Sequence, residues 1–335
     1  MATKLISSAQ FTTLPKNYIR PESDRPRLSE VVQCDDIPII DLGAADRAAV
    51  VNQIADACRH YGFFKVINHG VPKETTEKML STVREFYALP VEEKMKLYSE
   101  DMSKTCRLST SYIVNTESVN IWRDYLRIHC YPLHKYMPDW PSMPPTFRDV
   151  ASNYCTEVRK LGFRLQEFIA ESLGLPKDAL WKIFGTEQAQ HMSMNYYPPC
   201  PQPDLTYGLA AHTDSDILTI LLPDAEVPGL QVLKDGKWLA VKPHPDAFVI
   251  NIADQLEAVS NGLYKSIWHR VIANSDKERI SIASFICPAD GAKISAPESL
   301  TTDGKRYKDF TYDEYYNVVW THNLDEKHPL EFFKN

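Results

Sequence analysis

The chain has 335 residues, of which 44% are hydrophobic and 24% are charged, a composition typical of globular proteins. Lys and Arg number 37 and Asp and Glu number 44, which gives a net charge of −7. An acidic chain without a basic run argues against a nucleic-acid or anionic-membrane partner. No apolar run approaches the roughly 18 residues that a membrane helix needs.

The N-terminal half alternates short strands and amphipathic helices, which predicts an α/β region over residues 37–187, after an N-terminal tail at 1–36. The predicted elements are strands at 38–42 and 63–68 and helices at 45–62, 74–89, 91–98 and 146–175. In the longest helix, apolar residues recur at three- and four-residue spacing from Val150 to Phe168, and Pro176 follows its end. We interpret that stripe as core packing.

The C-terminal half changes character, because residues 188–296 contain short β-like runs separated by Pro, Gly and Asp turns. Such spacing predicts a sandwich, a barrel or a jelly roll. The runs lie at 191–197, 205–212, 217–222, 229–233, 237–241, 247–252, 264–272, 279–287 and 293–296. The segment 297–335 includes an apolar helical pattern over Tyr312–Trp320, which we expect to pack on this core.

His212 and Asp214 stand two residues apart at the end of a predicted strand, so their side chains point to one side of it. Two histidines and one carboxylate on one face of an octahedron leave three positions open, as in non-haem Fe(II) sites. His269, in another predicted strand, is the candidate for the second histidine. His244 and Asp246 have the same spacing, but the neighbouring prolines place them in a turn, and we interpret them as surface residues.

Arg279 and Ser281 are two residues apart in the strand predicted after His269. A guanidinium binds a carboxylate through two parallel hydrogen bonds, and a hydroxyl adds a third. The pair is therefore suited to hold one end of a dicarboxylate whose other end chelates the metal; the alternative is a surface arginine after a turn. Alternation also puts Asn195 and Tyr197 on one side of their strand, either as barrel packing or as further contacts to that ligand.

The ordered segments NYYPPCPQP, HTD, WHRV and RIS, preceded by PIIDL and GFFKVINHGV, resemble plant 2-oxoglutarate- and Fe(II)-dependent dioxygenases over residues 37–290. Other segments, such as WRDYLRIHCYP, are most similar to the salicylate 5-hydroxylase and flavone synthase I group. The resemblance implies a mixed α/β fold with a double-stranded β-helix (jelly-roll) core and flanking helices. It implies Fe(II) held by His212, Asp214 and His269, and 2-oxoglutarate held by Arg279 and Ser281 with help from Tyr197 and Asn195.

The segment WRDYLRIHCYP, read as a strand, places Tyr125, Arg127 and His129 on one face and its apolar residues on the other. In flavonoid-oxidising relatives the positions that match Tyr125 and Arg127 line the substrate pocket. We therefore predict that Arg127 pairs with a substrate carboxylate or phenolate, with a solvent-facing arginine as the alternative. Phe285 shares a strand face with Ser281 and either stacks on an aromatic substrate or belongs to the core. The other histidines, His191 among them, are interpreted as structural.

These features predict an enzyme that hydroxylates a small aromatic metabolite, with salicylate at the 5-position first, and that uses Fe(II), 2-oxoglutarate, O₂ and supporting ascorbate. The alternative on the same scaffold is a flavone synthase I or other flavanone-oxidising dioxygenase. A non-catalytic jelly-roll binding protein would instead be expected to have lost part of the ligand set. The seven cysteines form no Cys-x-x-Cys pair, and we expect reduced thiols in a cytoplasmic monomer.

Overall fold

Two β-sheets form the centre of the molecule, seen in a computed structural model that describes residues 4–9, 11–34, 37–110, 119–321 and 328–335. Apolar residues of both sheets meet between them, including Leu230 and Val232 from one and Phe63 and Val249 from the other. The predicted mixed α/β fold with a jelly-roll core is confirmed.

The larger sheet has eight strands and carries most of the polar residues singled out above. Strands from both halves of the chain contribute to it, so the predicted boundary at 187/188 falls within one continuous sheet. In spatial order its strands are β2 (Ile39–Asp41), β3 (Phe63–Ile67), β11 (Phe248–Ile252), β8 (Leu218–Leu222), β13 (Arg279–Cys287), β6 (Ala189–Tyr197), β5 (Asp124–Tyr131) and β4 (Cys106–Ser109).

The smaller sheet has five strands and brings His212 and His269 into direct register on neighbouring antiparallel strands. In spatial order its strands are β1 (Val32–Cys34), β10 (Lys237–Val241), β9 (Leu230–Lys234), β12 (His269–Ile272) and β7 (Tyr207–His212). A separate two-stranded pair, β14 (Lys293–Ile294) with β15 (Phe310–Thr311), lies in the C-terminal part.

Helices pack on the outer face of the larger sheet. The helices of the described chain are α1 (Arg47–His60), α2 (Lys73–Ala88), α3 (Val91–Met95), α4 (Leu133–Tyr136), α5 (Phe147–Ser172), α6 (Ala179–Phe184), α7 (Asp254–Val259) and α8 (Tyr312–Thr321). The side chain of Asp46 caps α1 by accepting a hydrogen bond from the Ala49 amide. Pro90 follows the end of α2, as a residue that cannot continue a helix.

Alternation along the larger sheet separates an apolar face from a polar one. Leu126, Ile128, Met194 and Ile282 point toward the helices, where they join one core with Leu161 of α5. The residues between them in sequence point to the other side, toward the smaller sheet. The polar residues of β5, β6 and β13 therefore line the interior of the jelly roll.

The N-terminal tail predicted at 1–36 packs against the rest of the protein over its described part. Leu5 and Ile6 are buried in the protein, and the buried carboxylate of Asp124 accepts hydrogen bonds from the Ile6 and Ser7 amides. Val32–Cys34 adds a strand to the smaller sheet by pairing in parallel with β10. Burial of these apolar side chains holds the segment against the core.

Two predictions need correction. The run at 264–272 is a strand only from His269, because the preceding residues form turns after α7. The helix α7 itself was not predicted, since its residues are all buried and show no amphipathic pattern. The described residues contain no helix that is both long and apolar enough to span a bilayer.

Candidate functional site

His212, Asp214 and His269 converge in the interior between the two sheets. Their potential ligand atoms all lie within 4.8 Å of one another, and no other such cluster occurs in the described part of the chain. The Nε2 atoms of His212 and His269 lie 3.6 and 3.7 Å from the same Asp214 oxygen, Oδ1. His244 and Asp246, which have the same spacing in sequence, are not part of this cluster. Asp246 forms an exposed ion pair with Lys73.

The hydrogen bonds of the two imidazoles point their Nε2 lone pairs at the centre of this cluster. Nδ1 of His212 lies 2.9 Å from the Ala210 carbonyl and Nδ1 of His269 lies 3.1 Å from the Ile267 carbonyl. Because a carbonyl only accepts, each Nδ1 carries the proton and each Nε2 is left to bind a cation. The donor set therefore fits a divalent metal with nitrogen and oxygen preference.

The charges in the cluster also suit a cation. Burial, followed by the neighbouring His269, lowers the pKa of His212 to about 3, so its imidazole is neutral near pH 7. Burial tends to raise the pKa of Asp214, but the two imidazoles and its hydrogen-bond donors outweigh burial and hold that pKa below its usual value. With the Nε2 atoms left free by the hydrogen bonds at Nδ1, the site thus offers two imidazole nitrogens and one carboxylate.

The second oxygen of Asp214 is fixed by two side chains of the larger sheet. The Thr219 hydroxyl donates to Oδ2 at 2.6 Å, and the Asn251 amide nitrogen donates to the same oxygen. Thr219 and Asn251 are opposite each other on β8 and β11. These bonds orient the carboxylate so that Oδ1 faces the histidines, as outer hydrogen bonds do in metal sites. Neither residue was singled out from the sequence, because Asn251 lies 37 residues from Asp214 in the chain and Thr219, five residues from it, stands on a separate strand.

Arg279 is a buried cation on the interior face of β13, with 3% of its surface exposed. Its Nη1 donates to the Ser281 hydroxyl at 3.3 Å and its Nε to the Val227 carbonyl at 3.3 Å. The guanidinium lies 5.2 Å from the ring of Tyr197, its partner on β6. No described carboxylate is within ion-pair distance, and burial lowers the pKa of Arg279. A buried guanidinium without a carboxylate is suited to an anionic ligand.

Asn195 lies opposite Ser281 on the neighbouring strand, and Tyr197 lies opposite Arg279. The two predicted pairs therefore share one face of the sheet. Its side-chain oxygen accepts hydrogen bonds from Arg123 Nη1 and from the Ser193 hydroxyl, both at 3.1 Å. Its amide nitrogen donates to the carbonyl of Ser281 at 3.4 Å. The Asn195 side chain therefore connects β6 to β13 at Ser281.

The interior faces of β5, β6 and β13 are aligned in rows across the sheet. Tyr125 is opposite Asn195, Arg127 is opposite Ser193, and the next row joins His129, His191 and Phe285. We call Tyr125, Arg127, His129, His191 and Phe285 the interior wall. Phe285 is also opposite Thr219, which holds Asp214, so the wall borders the metal cluster. Tyr125, in this wall, is 3% exposed.

Arg127 is half-buried, and its Nη2 donates to Nδ1 of His191 at 2.9 Å. The His191 ring is stacked on His129 with 4.1 Å between ring centroids. Burial and then the Arg127 charge lower the pKa of His129 to about 4 and hold that of His191 well below its usual value. Both imidazoles are neutral near pH 7, so Arg127 supplies the charge of this part of the wall. His191 was interpreted from the sequence as structural. Because it is four residues before Asn195 on β6, strand alternation could have placed both on the same interior face.

Two more arginines adjoin the interior wall and were not singled out from the sequence. Arg107, opposite Arg127 on β4, donates to the Tyr125 hydroxyl. The guanidinium of Arg123 lies 4.6 Å from the Tyr125 ring. Both are at least 95% buried, and neither forms an ion pair with a described carboxylate. The wall is therefore strongly cationic inside an acidic protein.

Comparisons with known proteins match this arrangement. A sequence profile of the 2OG-Fe(II) oxygenase superfamily matches residues 188–288, and one of the non-haem dioxygenase in morphine synthesis N-terminal region matches residues 37–146. The chain is 59% identical to Protein DOWNY MILDEW RESISTANCE 6 of Arabidopsis thaliana, covering 100% of both. It is 56% identical to Flavanone 3-dioxygenase 2 of Oryza sativa subsp. japonica, covering 99% of this chain and 97% of the relative.

The fold is also similar to solved structures. The crystal structure of JOX2 in complex with 2OG, Fe and JA superposes with a TM-score of 0.90 at 38% identity, covering 98% of this chain and 96% of that one. The rice dioxygenase for auxin oxidation superposes with a TM-score of 0.77 at 26% identity, covering 90% of this chain and 100% of that one. The similarity thus extends over nearly the whole chain.

Proposed function

Since this chain belongs to the 2OG-Fe(II) oxygenase superfamily and is a 2-oxoglutarate-dependent Fe(II) dioxygenase, we propose that its substrate is a small aromatic acid. Salicylate, hydroxylated at the 5-position, is the first candidate. Cosubstrate turnover would release succinate and CO₂. The observation that carries the proposal is the cationic interior wall, where Arg107, Arg123 and Arg127 surround Tyr125.

The roles of the site residues follow from their geometry. His212, Asp214 and His269 would hold Fe(II) through two Nε2 atoms and one carboxylate oxygen, a donor set that suits non-haem iron. Arg279 and Ser281 bind the distal carboxylate of 2-oxoglutarate, with Tyr197 packed on the guanidinium. Asn195 supports Ser281 from the neighbouring strand. Ser281 and Arg279 point to the same interior as the metal cluster, as a bridging dicarboxylate requires.

Bound Fe(II) with 2-oxoglutarate supplies the oxidising chemistry, in which one atom of O₂ enters succinate and the other enters the substrate. The protein contributes position and a dry site. Burial of Asp214, His269 and Arg279 excludes bulk water from the reacting groups. Arg127 holds the substrate carboxylate, and Phe285, in the row that includes Thr219, stacks on the aromatic ring beside the metal.

A flavanone is the second candidate substrate, because the chain is 56% identical to the rice flavanone dioxygenase. Tyr125 and Phe285 would then face the flavanone rings, and Arg127 would bind a phenolate rather than a carboxylate. The two candidates are separated by which compound supports turnover. With a flavanone, product mass then separates hydroxylation, which adds one oxygen, from desaturation, which removes two hydrogens.

The test is succinate release by purified protein with Fe(II), 2-oxoglutarate and ascorbate, with salicylate and naringenin in parallel. We expect salicylate-dependent succinate and a product heavier by one oxygen, and none from His212→Ala. Turnover with naringenin alone would move the assignment to a flavanone-oxidising enzyme. Turnover with neither substrate, while 2-oxoglutarate still binds, would discard both.

Arg127→Gln tests the substrate contact. We expect its KM for salicylate to rise by about 10-fold or more, the loss of one charged hydrogen bond, with the KM for 2-oxoglutarate unchanged. Salicyl alcohol, which lacks the charge, should be used equally well by both proteins. Arg59→Gln removes an exposed guanidinium from α1 and serves as the matched control. An unchanged salicylate KM in Arg127→Gln would refute the contact.

We also propose a cytoplasmic monomer made of an N-terminal segment (1–36), an α/β helical region (37–187), a catalytic core (188–296) and a C-terminal helical segment (297–335). Six cysteines are free thiols, and all of these but Cys106 are buried, as expected for a reducing compartment: Cys58, Cys106, Cys130, Cys155, Cys200 and Cys287. The net charge of −7 disfavours nucleic acid as a partner.

A further inference from the structure

A second cavity, of about 570 Å³, lies between the N-terminal segment and the smaller sheet. Its size is within the range of about 300–1,000 Å³ that is usual for small-molecule sites. We call it the outer cleft and define it by the residues that carry the argument: Arg20, Arg25, Tyr207, Trp238, Trp268 and Arg270.

The outer cleft is on the opposite side of the smaller sheet from the metal cluster. His269 faces the interior, so alternation along β12 turns Arg270 outward, and Trp268, just before the strand, lines the same cleft. Trp238 of β10 lines the same cleft, and residues 20–31 form its other side. The cleft is therefore separate from the site where 2-oxoglutarate and the substrate bind.

The charge of the outer cleft is positive although the chain as a whole carries −7. Its charged lining residues are Arg20, Arg25, Arg27, Arg270, Asp24 and Glu30. Arg20 pairs with Asp24 at 2.8 Å, and Arg27 pairs with Glu30 at 3.4 Å. Arg25 and Arg270 form no ion pair with any carboxylate that the structure describes. Two guanidinium charges are thus left for a ligand.

Arg270 is 5% exposed and is held rigidly at the base of the cleft. Its Nε donates to Gln231 Oε1 at 2.8 Å and its Nη1 to the Tyr207 hydroxyl at 3.1 Å. Its guanidinium is stacked on Trp238 at 4.0 Å. Burying a guanidinium costs free energy unless an anion compensates for it, and these contacts are all to neutral groups. Trp238 and Trp268 add flat apolar surface beside the charge.

We propose that the outer cleft binds a flat organic anion, an aromatic ring that carries a carboxylate or sulfonate. The anionic group pairs with Arg270 and Arg25, and the ring lies against the tryptophan side chains. The site depends on neither the iron nor the identity of the oxidised substrate, so it stands apart from the proposed function.

The test is calorimetric titration of the full chain with 1-naphthoate as the probe and 1-naphthamide as its neutral counterpart. Mn(II) and N-oxalylglycine are present to fill the metal and 2-oxoglutarate positions. We expect naphthoate to bind and naphthamide to bind at least about 10-fold more weakly, because the charged hydrogen bonds are lost. Arg270→Gln should weaken naphthoate binding by about 10-fold or more. Arg25→Gln, at a half-exposed position, should weaken it by a smaller factor and guards against a folding defect in Arg270→Gln.

Arg127→Gln, which alters the interior wall instead, should retain this binding. Naphthoate binding that is lost in Arg127→Gln and retained in Arg25→Gln and Arg270→Gln would place the probe in the interior and overturn the proposal. Absence of naphthoate binding at millimolar concentration would also overturn it.

Discussion

The metal cluster and the interior wall border one cavity, yet the protein holds them differently. At the metal cluster each ligand atom is oriented by a partner: two backbone carbonyls fix the imidazoles, and Thr219 and Asn251 fix Asp214. At the wall, Arg127 and Phe285 are only half-buried, and Arg127 contacts the neutral ring of His191. The chemistry is thus placed on a rigid centre, and recognition on a more exposed surface.

This difference teaches how one scaffold serves several substrates. Positions of the metal and of 2-oxoglutarate cannot vary, because the reacting atoms must meet within a few tenths of an ångström. Changes at the wall alter discrimination by only about 1–3 kcal/mol for each contact, which leaves the centre intact. Relatives that match most of this chain include a flavanone 3-dioxygenase and a dioxygenase for auxin oxidation, as this division predicts.

The largest expected effect is at the centre itself. Asp214→Ala removes the only carboxylate of the cluster, and we expect turnover to fall by about 1,000-fold or more, since the bound metal stabilises the transition state by several kcal/mol. Succinate release under saturating salicylate measures it, with metal content determined on the same sample. A variant that retains a tenth of the wild-type rate would contradict the assignment.

Arg279→Met should raise the KM for 2-oxoglutarate by about 10- to 100-fold, the value of a charge-assisted contact of about 1.5–3 kcal/mol. Because the guanidinium is buried without a described carboxylate, the ligand-free variant should be no less stable than wild type. Thermal unfolding without cosubstrate measures this second effect. A clearly lower melting temperature would mean that Arg279 serves the fold rather than an anion.

Asn251→Ala and Thr219→Val each remove one donor to Asp214 Oδ2 and should weaken metal binding by about 10- to 100-fold. Chelator competition with Mn(II) measures this without turnover. Thr213→Val is the matched control, because the Thr213 hydroxyl donates to Asp254 rather than to Asp214. Equal affinities in Thr219→Val and Thr213→Val would show that the carboxylate needs no support.

The smallest effect concerns pH and the wall. The pKa of His129 is lowered to about 4 by burial and then by Arg127 and Lys135, so the folded state disfavours its protonation. This contribution to stability is present above about pH 6.5, the usual histidine pKa, and is lost as the pH falls through 4. Urea unfolding at pH 6.5 and 4.5 should show a larger loss of stability in wild type than in His129→Gln. Parallel losses would contradict a buried neutral His129.

Local sequence determined the parts of this protein that depend on neighbours in the chain. The i, i+2 spacing of Arg279 with Ser281 needs only the period of a strand, and the two side chains meet as that period requires. The spacing of His212 with Asp214 also brought both to one place, although β7 ends at His212 and Asp214 lies just beyond it. Helix α5 followed from its apolar spacing and from the proline after its end. These features depend on the backbone geometry and the apolar pattern of one segment, so they can be predicted from that segment alone.

Tertiary structure alone decided which segments share the cavity. Asn251, Arg107 and Arg123 support the site from positions far from the ligands in sequence, and no local pattern marks them. Thr219 follows Asp214 closely in the chain, but it reaches the carboxylate only because the chain turns between them and β8 joins the larger sheet. The burial of the N-terminal segment, with the outer cleft that it forms, depends equally on contacts between distant residues. Strand order and register are set by packing of the whole chain, so a polar residue acquires its role only when the sheets close.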